Sequence, residues 1–293
     1  MYRICAQGLK GLKVVEGVFN ALNDNEKLVV VIGKDSNVIN DYSREINEFC
    51  KCNNIKAISS IVEAKDTYEY TFAAGWQRII SDVPYDTIIV FHDSLLPKYR
   101  GFNPLVTSLI NGDSIIGVTV LLAEKTYDTG PIITQVKKQI SYPITIEEAI
   151  NVVSELYFNA AKDLVFMIEG NNLRFVKQVE EDATYSLWRD SKDYSIDWSK
   201  SSKEIERFVD AVGFPYDGAK TYVDNTAYTI EKVTVLQDLL VENRDVGKII
   251  FFENEMPVVV CGEGLMRIDI IKNQTGQLIQ KFNFRTRFVH DSL

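Results

Sequence analysis

The sequence predicts an α/β protein in which a mostly parallel sheet with helices on both faces precedes a small antiparallel β-barrel. In the first part of the chain, short apolar runs alternate with helix-like segments, as in sheets buried on both faces. These runs are LVVVIG (28–33), KAIS (56–59), DTIIVF (86–91), GVTVLLAE (117–124) and PIITQVKKQI (131–140). In the last part, short alternating strands follow one another between turns. We therefore expect a Rossmann-like first region and an OB-like second one.

Helix signals lie between and after these runs. Segment 38–53 is polar, and its apolar residues are spaced to share one helix face. These residues are Val38, Ile39, Tyr42, Ile46 and Phe49. Thr145 and Glu148 form a capping box that opens a long helix ending at Gly170. A second capping box, Ser201 with Glu204, predicts a short helix that Gly213 stops.

The composition divides the chain into three parts. We expect a catalytic-type α/β domain over 1–182, an aromatic and charged connector over 183–200, and a helix with a small barrel over 201–293. The barrel strands are AKTYV, AYTIEKVTVL, GKIIFF, PVVVC and LMRIDII. Trp198 and Phe208 are expected in the core. The final segment, RTRFVHDSL, is expected to be an exposed tail with a solvated His290.

Charge and cysteine content exclude several classes of protein. The net charge of −9 and pI near 5.0 argue against an extended nucleic-acid surface, although Lys98 and Arg100 offer a small basic patch. No secretion signal and no apolar run of ~18 residues is visible. The cysteines lack the spacing of a zinc site, so we predict free thiols, a cytoplasmic location and no metal. They are Cys5, Cys50, Cys52 and Cys261.

The segment FHDSLLPKYRGFNP (91–104) directly follows the apolar run TIIV. Functional groups on an open α/β sheet lie past the carboxyl ends of its strands, and His92 occupies such a position. A histidine there can donate a hydrogen bond or change charge near neutral pH. The simpler alternative is a histidine that merely completes the strand and bonds a main-chain carbonyl. Pro97 then imposes an irregular loop.

Two further clusters are weak signals when each is taken alone. Asp128 begins the sequence Asp-Thr-Gly-Pro between the last two apolar runs, which is first of all a turn signal. Gly75 precedes Trp76 and lets a flat ligand approach the main chain closely, although a plain turn is the commoner explanation.

Together these clusters resemble a known family. The pattern is H-x-S-L-L-P-x-Y-R-G from His92, followed by Pro104, I-N-G-D (110–113), G-V-T (117–119) and D-x-G at 128–130. It is similar to the N10-formyltetrahydrofolate-dependent formyltransferases, which act on methionyl-tRNA, glycinamide ribonucleotide or amino sugars. The match is dense from about 72 to 136. IDWSKSSKEIERFVDAV and later segments resemble the C-terminal part of the methionyl-tRNA and sugar enzymes.

The resemblance implies roles for particular residues. It implies that His92 and Asp128 are catalytic, with Asp128 taking the ammonium proton and His92 meeting the oxyanion. It also implies that N10-formyltetrahydrofolate contacts Gly75, Trp76, Leu95 and Asp128. The loop from Ser94 to Gly101 would shape the acceptor pocket. Its substrate-binding residues would be Ser94, Lys98, Tyr99, Arg100 and Gly101.

The chain departs from the family pattern at Val90. The family carries an asparagine two residues before the histidine, and its amide also meets the formyl oxygen. Valine has no hydrogen-bond donor. A main-chain amide, a water or Asn103 are the substitutes that the sequence offers.

The acceptor is left open between two amines. The acidic charge favours a nucleotide-linked amino sugar, with a place in lipopolysaccharide biosynthesis, over methionyl-tRNA. The nucleotide would be held by Lys98 and Arg100 and by Trp188, Arg189 and Tyr194. The resemblance also implies a homodimer. Two alternatives are a folate or nucleotide-sugar binding protein that lost its chemistry at Val90, and a structural protein without a ligand.

Overall fold

The computed structural model describes residues 1–22, 27–35, 38, 40–64 and 66–290. Contacts divide the chain into two compact units. The first contains Met1–Leu105, Ile115–Gln139 and Ile150–Leu187, and the second contains Val106–Ser114, Ile140–Ala149 and Trp188–Leu293. Ile39 and residues 291–293, which figure in the predicted helix face and tail, lie outside the described residues.

The first unit is built on a seven-stranded sheet in the order β3-β2-β1-β4-β5-β7-β8. Pairing is parallel from β3 to β5, whereas β7 runs antiparallel to both β5 and β8. The predicted mostly parallel sheet is confirmed. Its strands are β1 (Tyr2–Ala6), β2 (Leu28–Ile32), β3 (Lys56–Ile58), β4 (Tyr70–Ala74), β5 (Ile88–His92), β7 (Ile115–Leu122) and β8 (Ile132–Gln139). A separate two-stranded ladder joins β6 (Arg100–Gly101) to β9 (Tyr185–Ser186).

Helices alternate with these strands along the chain, and two of them pack together on one face of the sheet. The helices that precede the C-terminal region are α1 (Gly8–Ala21), α2 (Ser43–Cys52), α3 (Pro104–Asn111) and α4 (Ile146–Glu169). Helix α1 packs closely on α4, because a Cβ at Gly17 would lie 2.5 Å from the carbonyl oxygen of Phe158. The Tyr157 ring of α4 stacks on Phe91 of β5, with ring centroids 5.7 Å apart.

The other face carries an apolar cluster of Cys5, Val31, Ala73, Ile80 and Ile88. Half-buried Trp76, Val83 and Val90 pack against it. Side chains of a strand alternate between faces, so Ile88, Val90 and His92 project from this same face of β5. The cluster therefore leads along the strand directly to His92.

The second unit holds helix α5 (Ser202–Val212) and a five-stranded antiparallel sheet in the order β10-β11-β14-β13-β12. The strands are β10 (Ala219–Val223), β11 (Thr226–Leu236), β12 (Ile249–Glu253), β13 (Met256–Val260) and β14 (Leu265–Asn273). The predicted capping box is present, because the Ser201 hydroxyl accepts from the Glu204 amide and the Glu204 carboxylate from the Ser201 amide. The antiparallel C-terminal region is confirmed.

The segment predicted as an exposed tail instead closes this sheet. Tyr222 of β10 exchanges two main-chain hydrogen bonds with Val289, and the Phe288 amide donates to Gly247 just before β12. Phe288 is 1% exposed and packs against Trp198, which is itself buried, as predicted. The prediction of a tail was wrong because Phe288 and Val289 supply apolar surface that the sheet buries. His290 is exposed, and its Nδ1 lies 3.2 Å from the carbonyl oxygen of Ile196.

Two results concern membranes and metals. Within the described residues, no helix combines the length and apolar character needed to cross a bilayer. The same part of the chain contains no group of three or more histidine, cysteine, aspartate or glutamate side chains arranged to hold a metal ion. All four cysteines are free thiols.

Candidate functional site

His92 and Asp128 lie together in the first unit. His92 is the last residue of β5, and Asp128 lies in the connection between β7 and β8. This connection begins at Ala123, which packs in the same cluster as Val90, so it runs over the sheet face from which His92 projects. The His92 Nδ1 and the Asp128 Oδ1 are 3.5 Å apart, and both side chains are largely buried.

The other imidazole nitrogen is fixed by main chain. His92 Nε2 lies 2.9 Å from the carbonyl oxygen of Tyr99. A carbonyl only accepts hydrogen bonds, so Nε2 carries a proton and donates it. Nδ1 is therefore the nitrogen that remains for chemistry, and it faces the Asp128 carboxylate. The catalytic roles of His92 and Asp128 stay predictions.

Asp128 is held in a left-handed conformation with φ of +57°. Its Oδ2 accepts a hydrogen bond from the Gly101 amide at 2.9 Å, which leaves Oδ1 directed toward His92. Gly101 has φ of +99°, and a Cβ there would lie 2.6 Å from the carbonyl oxygen of Ser186. Glycine is thus required at 101 both for the backbone angle and for the close approach that brings the amide to Asp128.

Gln178 holds the Asp128 turn and was missed by the sequence analysis. Its Nε2 donates to the carbonyl oxygens of Asp128 and Gly130, each at 2.8 Å. Its Oε1 accepts from two guanidinium nitrogens of Arg100 at 3.1 and 3.0 Å. Gln178 is buried, so these bonds are protected from water. No motif marks a glutamine in the sequence LRFVKQVEED, and only the folded chain reveals its role.

Arg100 forms part of the same frame. Its guanidinium makes a two-point contact with the Glu180 carboxylate at 2.8 and 3.0 Å and is 1% exposed. The Glu180 carboxylate raises the pKa of Arg100 above its ordinary value, and Arg100 lowers the pKa of Glu180. The guanidinium predicted to bind substrate is therefore engaged within the protein, and substrate contact by Arg100 stays a prediction.

The loop between His92 and Gly101 is tied down by several polar contacts. The Ser94 hydroxyl donates to the Lys98 carbonyl at 2.6 Å and spans the loop. The Thr119 hydroxyl donates to the Ser94 carbonyl and accepts from the Leu96 amide. Tyr99 is buried with φ of +62°, and the exposed Lys98 has its ammonium 4.6 Å from the Tyr99 ring centroid. This loop is a rigid element, and its predicted acceptor contacts stay predictions.

A buried polar cluster fixes the opposite side of the strand end. The Asp93 carboxylate pairs with the Lys10 ammonium of α1 and accepts from the Tyr157 hydroxyl of α4. Burial alone would raise the pKa of Asp93, but Lys10, Tyr157 and His92 together hold that pKa below its ordinary value. Burial and the Asp93 charge raise the pKa of Tyr157 well above its ordinary value. Asp93 therefore remains ionised beside His92.

The residues predicted to contact N10-formyltetrahydrofolate, apart from Asp128, lie at two places in the first unit. Gly75 follows β4 with φ of +61°, and a Cβ there would lie 2.3 Å from the Gln7 carbonyl oxygen. Trp76 packs on the apolar cluster, and in the described part of the chain its buried indole Nε1 has no hydrogen-bond partner. The Leu95 side chain covers Gly117 of β7.

Val90 lacks the hydrogen-bond donor that the family's asparagine would supply beside His92. It projects one step before His92 on the same face and packs on the apolar cluster. An asparagine there would place an amide beside the imidazole, whereas valine only completes the cluster. The structure therefore accounts for Val90 as a packing residue.

The second unit carries three of the residues predicted to hold a nucleotide, whereas Lys98 and Arg100 lie in the first. Trp188 is 62% exposed. The Arg189 guanidinium donates to the Asp193 carbonyl at 3.2 Å, and the half-buried Tyr194 ring lies 5.7 Å from the Lys220 ammonium. Nucleotide binding by these residues stays a prediction.

Comparison with known families decides the assignment. The formyl transferase model matches residues 53–161, and the model of the formyl transferase C-terminal domain matches residues 190–286. The chain belongs to the formyltransferase family. His92 and Asp128 both fall within the first matched range, and α5 with the antiparallel sheet falls within the second.

Individual relatives of this formyltransferase differ in the acceptor that their names give. A methionyl-tRNA formyltransferase of Acetivibrio thermocellus is 29% identical over 235 residues, which cover 75% of this chain and 74% of the relative. The sugar 3N-formyl transferase WlaRD, solved with dTDP and 5-N-formyl-THF, has 20% identity and a TM-score of 0.72. That alignment covers 96% of this chain and 98% of WlaRD.

A second solved structure has the same fold. The N-formyltransferase of Helicobacter canadensis, in complex with folinic acid and dTDP-3-aminofucose, has 19% identity and a TM-score of 0.69. The alignment covers 95% of this chain and 99% of that one. At these identities the two structural likenesses establish the fold that this formyltransferase shares with them.

Proposed function

We propose that this formyltransferase moves the formyl group of N10-formyltetrahydrofolate to the primary amine of a nucleotide-linked amino sugar. The observation that carries the proposal is the His92–Asp128 pair, with Nδ1 facing Oδ1 and Nε2 committed to the Tyr99 carbonyl. A fixed imidazole beside a carboxylate is suited to amine acylation, which needs an oxyanion donor and a proton acceptor.

The steps follow from this geometry. The amine nitrogen attacks the formyl carbon, a C–N bond forms, and the carbonyl oxygen becomes an oxyanion. His92 can donate from Nδ1 to that oxygen only as an imidazolium, since Nε2 already donates to Tyr99, and the adjacent Asp128 carboxylate stabilises this charge. Asp128 takes the ammonium proton directly or through water. The bond from carbon to N10 then breaks, and N10 receives a proton.

Trp76 supports the binding of a cosubstrate that carries hydrogen-bond acceptors, because within the described residues its buried indole N–H has no partner. Contacts of the cosubstrate with Gly75 and Leu95 stay predictions, since the Gln7 carbonyl oxygen fills the space beside Gly75 and the Leu95 side chain lies against Gly117. When bound, N10-formyltetrahydrofolate supplies the activated one-carbon unit. The residues of this chain bind the cosubstrate, orient it and move protons.

Val90 bears on rate and gives the test of enzyme against binding protein. A protein that only binds folate would consume no donor with any amine, whereas an enzyme releases tetrahydrofolate in proportion to formylated product. We expect turnover by the wild type and faster turnover by Val90→Asn, because the amide adds an oxyanion donor. If the wild type turns over with none of the amines but binds folate tightly in calorimetry, the protein is a folate-binding protein and not an enzyme.

Charge supports the amino sugar as acceptor. Residues 188–293 carry 14 lysine and arginine residues against 17 aspartate and glutamate residues, so this C-terminal part is acidic like the whole chain. A tRNA ligand usually gains affinity from phosphate contacts with a basic surface. The 29% identity to a methionyl-tRNA formyltransferase favours tRNA as the second candidate.

The experiment that separates the two acceptors measures kcat/KM with N10-formyltetrahydrofolate on matched amines. The panel contains dTDP-3-aminofucose, a nucleotide-linked 4-amino sugar and methionyl-tRNA. We expect a sugar to be preferred by at least about 100-fold, since each well-placed contact contributes about tenfold. Preference for methionyl-tRNA, with a steep loss of activity as salt increases, would overturn the sugar assignment. The homodimer is tested by light scattering.

A further inference from the structure

Two exposed aromatic rings flank the catalytic carboxylate. Phe102 follows Gly101, whose amide donates to Asp128, and Tyr127 precedes Asp128. Phe102 is 56% exposed and Tyr127 is 67% exposed. Their ring centroids are 6.5 Å apart with an interplanar angle of 57°, so the rings form a tilted pair rather than a packed core contact.

The backbone under both rings is fixed. The Phe102 amide donates to the Ser186 carbonyl at 3.0 Å, and the Gly101 amide donates to Asp128 at 2.9 Å. On the other side, the Thr129 hydroxyl donates to the Thr126 carbonyl at 3.0 Å. Gln178 bonds the carbonyls on both sides of Thr129. Exposed aromatic rings on a fixed main chain lose little conformational entropy when they bind a ligand.

Neither fold nor catalysis accounts for these rings. Exposed apolar side chains scattered singly are ordinary, but a contacting pair beside a reacting group marks a binding surface. The rings offer no donor except the Tyr127 hydroxyl, so their contribution is apolar contact area. They are therefore suited to the C–H face of a ring and not to a phosphate.

The chemistry of the reaction limits which part of the acceptor reaches them. The amine of an amino sugar is bonded directly to a ring carbon, so the sugar ring lies within one bond of the reacting nitrogen. That nitrogen must approach the group held by His92 and Asp128. The sugar ring then lies against the residues adjacent to Asp128, and the nucleotide lies farther away.

We propose that Phe102 and Tyr127 form the platform on which the acceptor's sugar ring rests and that they set the specificity for that ring. This inference rests on the proposed function and refines its substrate class. Apolar C–H groups of the ring contact the two aromatic faces, which orients the amine toward the formyl carbon.

The test measures steady-state kinetics with N10-formyltetrahydrofolate and dTDP-3-aminofucose for Phe102→Ala and Tyr127→Ala. We expect the KM for the sugar nucleotide to rise about tenfold in each variant, while the KM for the folate stays within about twofold. Tyr127→Phe keeps the ring and should match the wild type. Tyr85→Ala removes a comparably exposed ring at the amino end of β5 and should also match it.

Three outcomes would overturn the proposal. One is an unchanged sugar KM in both alanine variants. Another is an equal rise in the folate KM, which would assign the rings to the donor. A third is an effect on methionyl-tRNA formylation without an effect on the sugar, which would assign them to the methionyl group. Circular dichroism of each variant establishes that the fold is retained.

A separate measurement distinguishes this inference from the proposed function. If the wild type formylates no amine, the proposed function fails, and saturation-transfer NMR with dTDP-3-aminofucose then decides the inference alone. Saturation of the sugar-ring protons by the wild type and its loss in a Phe102→Ala, Tyr127→Ala double variant would support the platform. The same saturation in both proteins, or no binding by the wild type, would refute it.

Discussion

The loops around His92 and the C-terminal antiparallel sheet are held in place by different forces. Around His92, polar side chains bond main-chain atoms of strained loops, as Gln178 does at Asp128 and Ser94 does at Lys98. In the C-terminal sheet, buried rings such as Trp198 and Phe288 pack against one another. The polar contacts orient the side chains of the candidate site, and the packed rings stabilise the fold of the C-terminal unit. A substitution in one should therefore affect a different quantity from a substitution in the other.

The largest expected effect is on chemistry at the His92–Asp128 pair. We expect His92→Ala and Asp128→Asn each to lower kcat by roughly 1,000-fold, because one loses the oxyanion donor and the other the carboxylate charge. For Asp128→Asn the melting temperature should change little, since asparagine can still accept from the Gly101 amide. Asp163→Asn removes an exposed acid on α4 and serves as the control. Retained kcat in either variant would contradict the assigned roles.

The next effect is on stability in the C-terminal sheet. Phe288→Ala removes a buried ring that contacts Trp198 and Phe282, so we expect a loss of about 3–5 kcal/mol in the free energy of unfolding. Chemical denaturation measures this loss, and kcat at low temperature should remain near that of the wild type. Phe284→Ala removes a ring that is 59% exposed in the same segment and should cost less than about 1 kcal/mol. Equal losses would mean that the segment does not close the sheet.

Gln178 should affect both kcat and the free energy of unfolding. Gln178→Ala leaves the carbonyls of Asp128 and Gly130 without this donor and takes one acceptor from the Arg100 guanidinium, which keeps its contact with Glu180. We therefore expect a loss of about 1–3 kcal/mol in the free energy of unfolding. The Asp128 turn would relax, and kcat should fall roughly 10- to 100-fold with a smaller change in folate KM. Gln139→Ala on the exposed end of β8 is the control. A stability loss without any fall in kcat would make Gln178 a purely structural residue.

The smallest effect is a pH dependence in α5. Burial, together with the charges of Glu206 and Glu148, raises the pKa of Asp210 from 3.8 to about 7. An acid whose pKa is raised by folding binds its proton more tightly in the folded state. Stability is therefore greatest below pH 4 for this group and falls as pH rises toward 7.

Asp210→Asn should remove this dependence. We expect the variant to be more stable than the wild type at pH 8 by about 1–2 kcal/mol and to lose that advantage near pH 4. Unfolding by denaturant at several pH values measures the difference. Parallel curves for the two proteins would show that Asp210 titrates normally.

Local patterns predicted much of the fold. The apolar runs at 28–33, 86–91 and 117–124 became β2, β5 and β7, and the capping box at Thr145 opens α4 within one residue of its start. The elements that went unpredicted include β1, α1 and β4. β1 escaped notice because Arg3 interrupts its apolar run, yet Arg3 is fully buried and pairs with Asp82 and Thr71. The sequence does not show these partners, which satisfy the buried Arg3 charge only in the folded chain.

Helix α1 was missed for another reason. Its sequence GLKGLKVVEGVFNA contains three glycines, which lower helix propensity. In the structure a Cβ at Gly11 would lie 2.9 Å from the carbonyl carbon of Ala6, and one at Gly17 would lie 2.5 Å from the Phe158 carbonyl oxygen. Gly11 and Gly17 thus allow close packing, which overrides local preference.

The candidate site was predictable only where a motif marks it. His92 and Asp128 stand in a recognisable pattern, and the structure places them side by side. Gln178, which lies 50 residues beyond Asp128, carries no local signal, because its role comes from a contact that the fold creates. Arg100 shows the converse, since a charge in the motif is engaged by Glu180 within the protein.

The contact between His92 and Tyr99 has a consequence for mutation. The acceptor is the carbonyl oxygen of residue 99, which every amino acid possesses, so no substitution at 99 deletes it. The orientation of the His92 imidazole therefore does not depend on which side chain residue 99 carries. It depends instead on the path of the chain, and only changes that redirect that path can turn the ring.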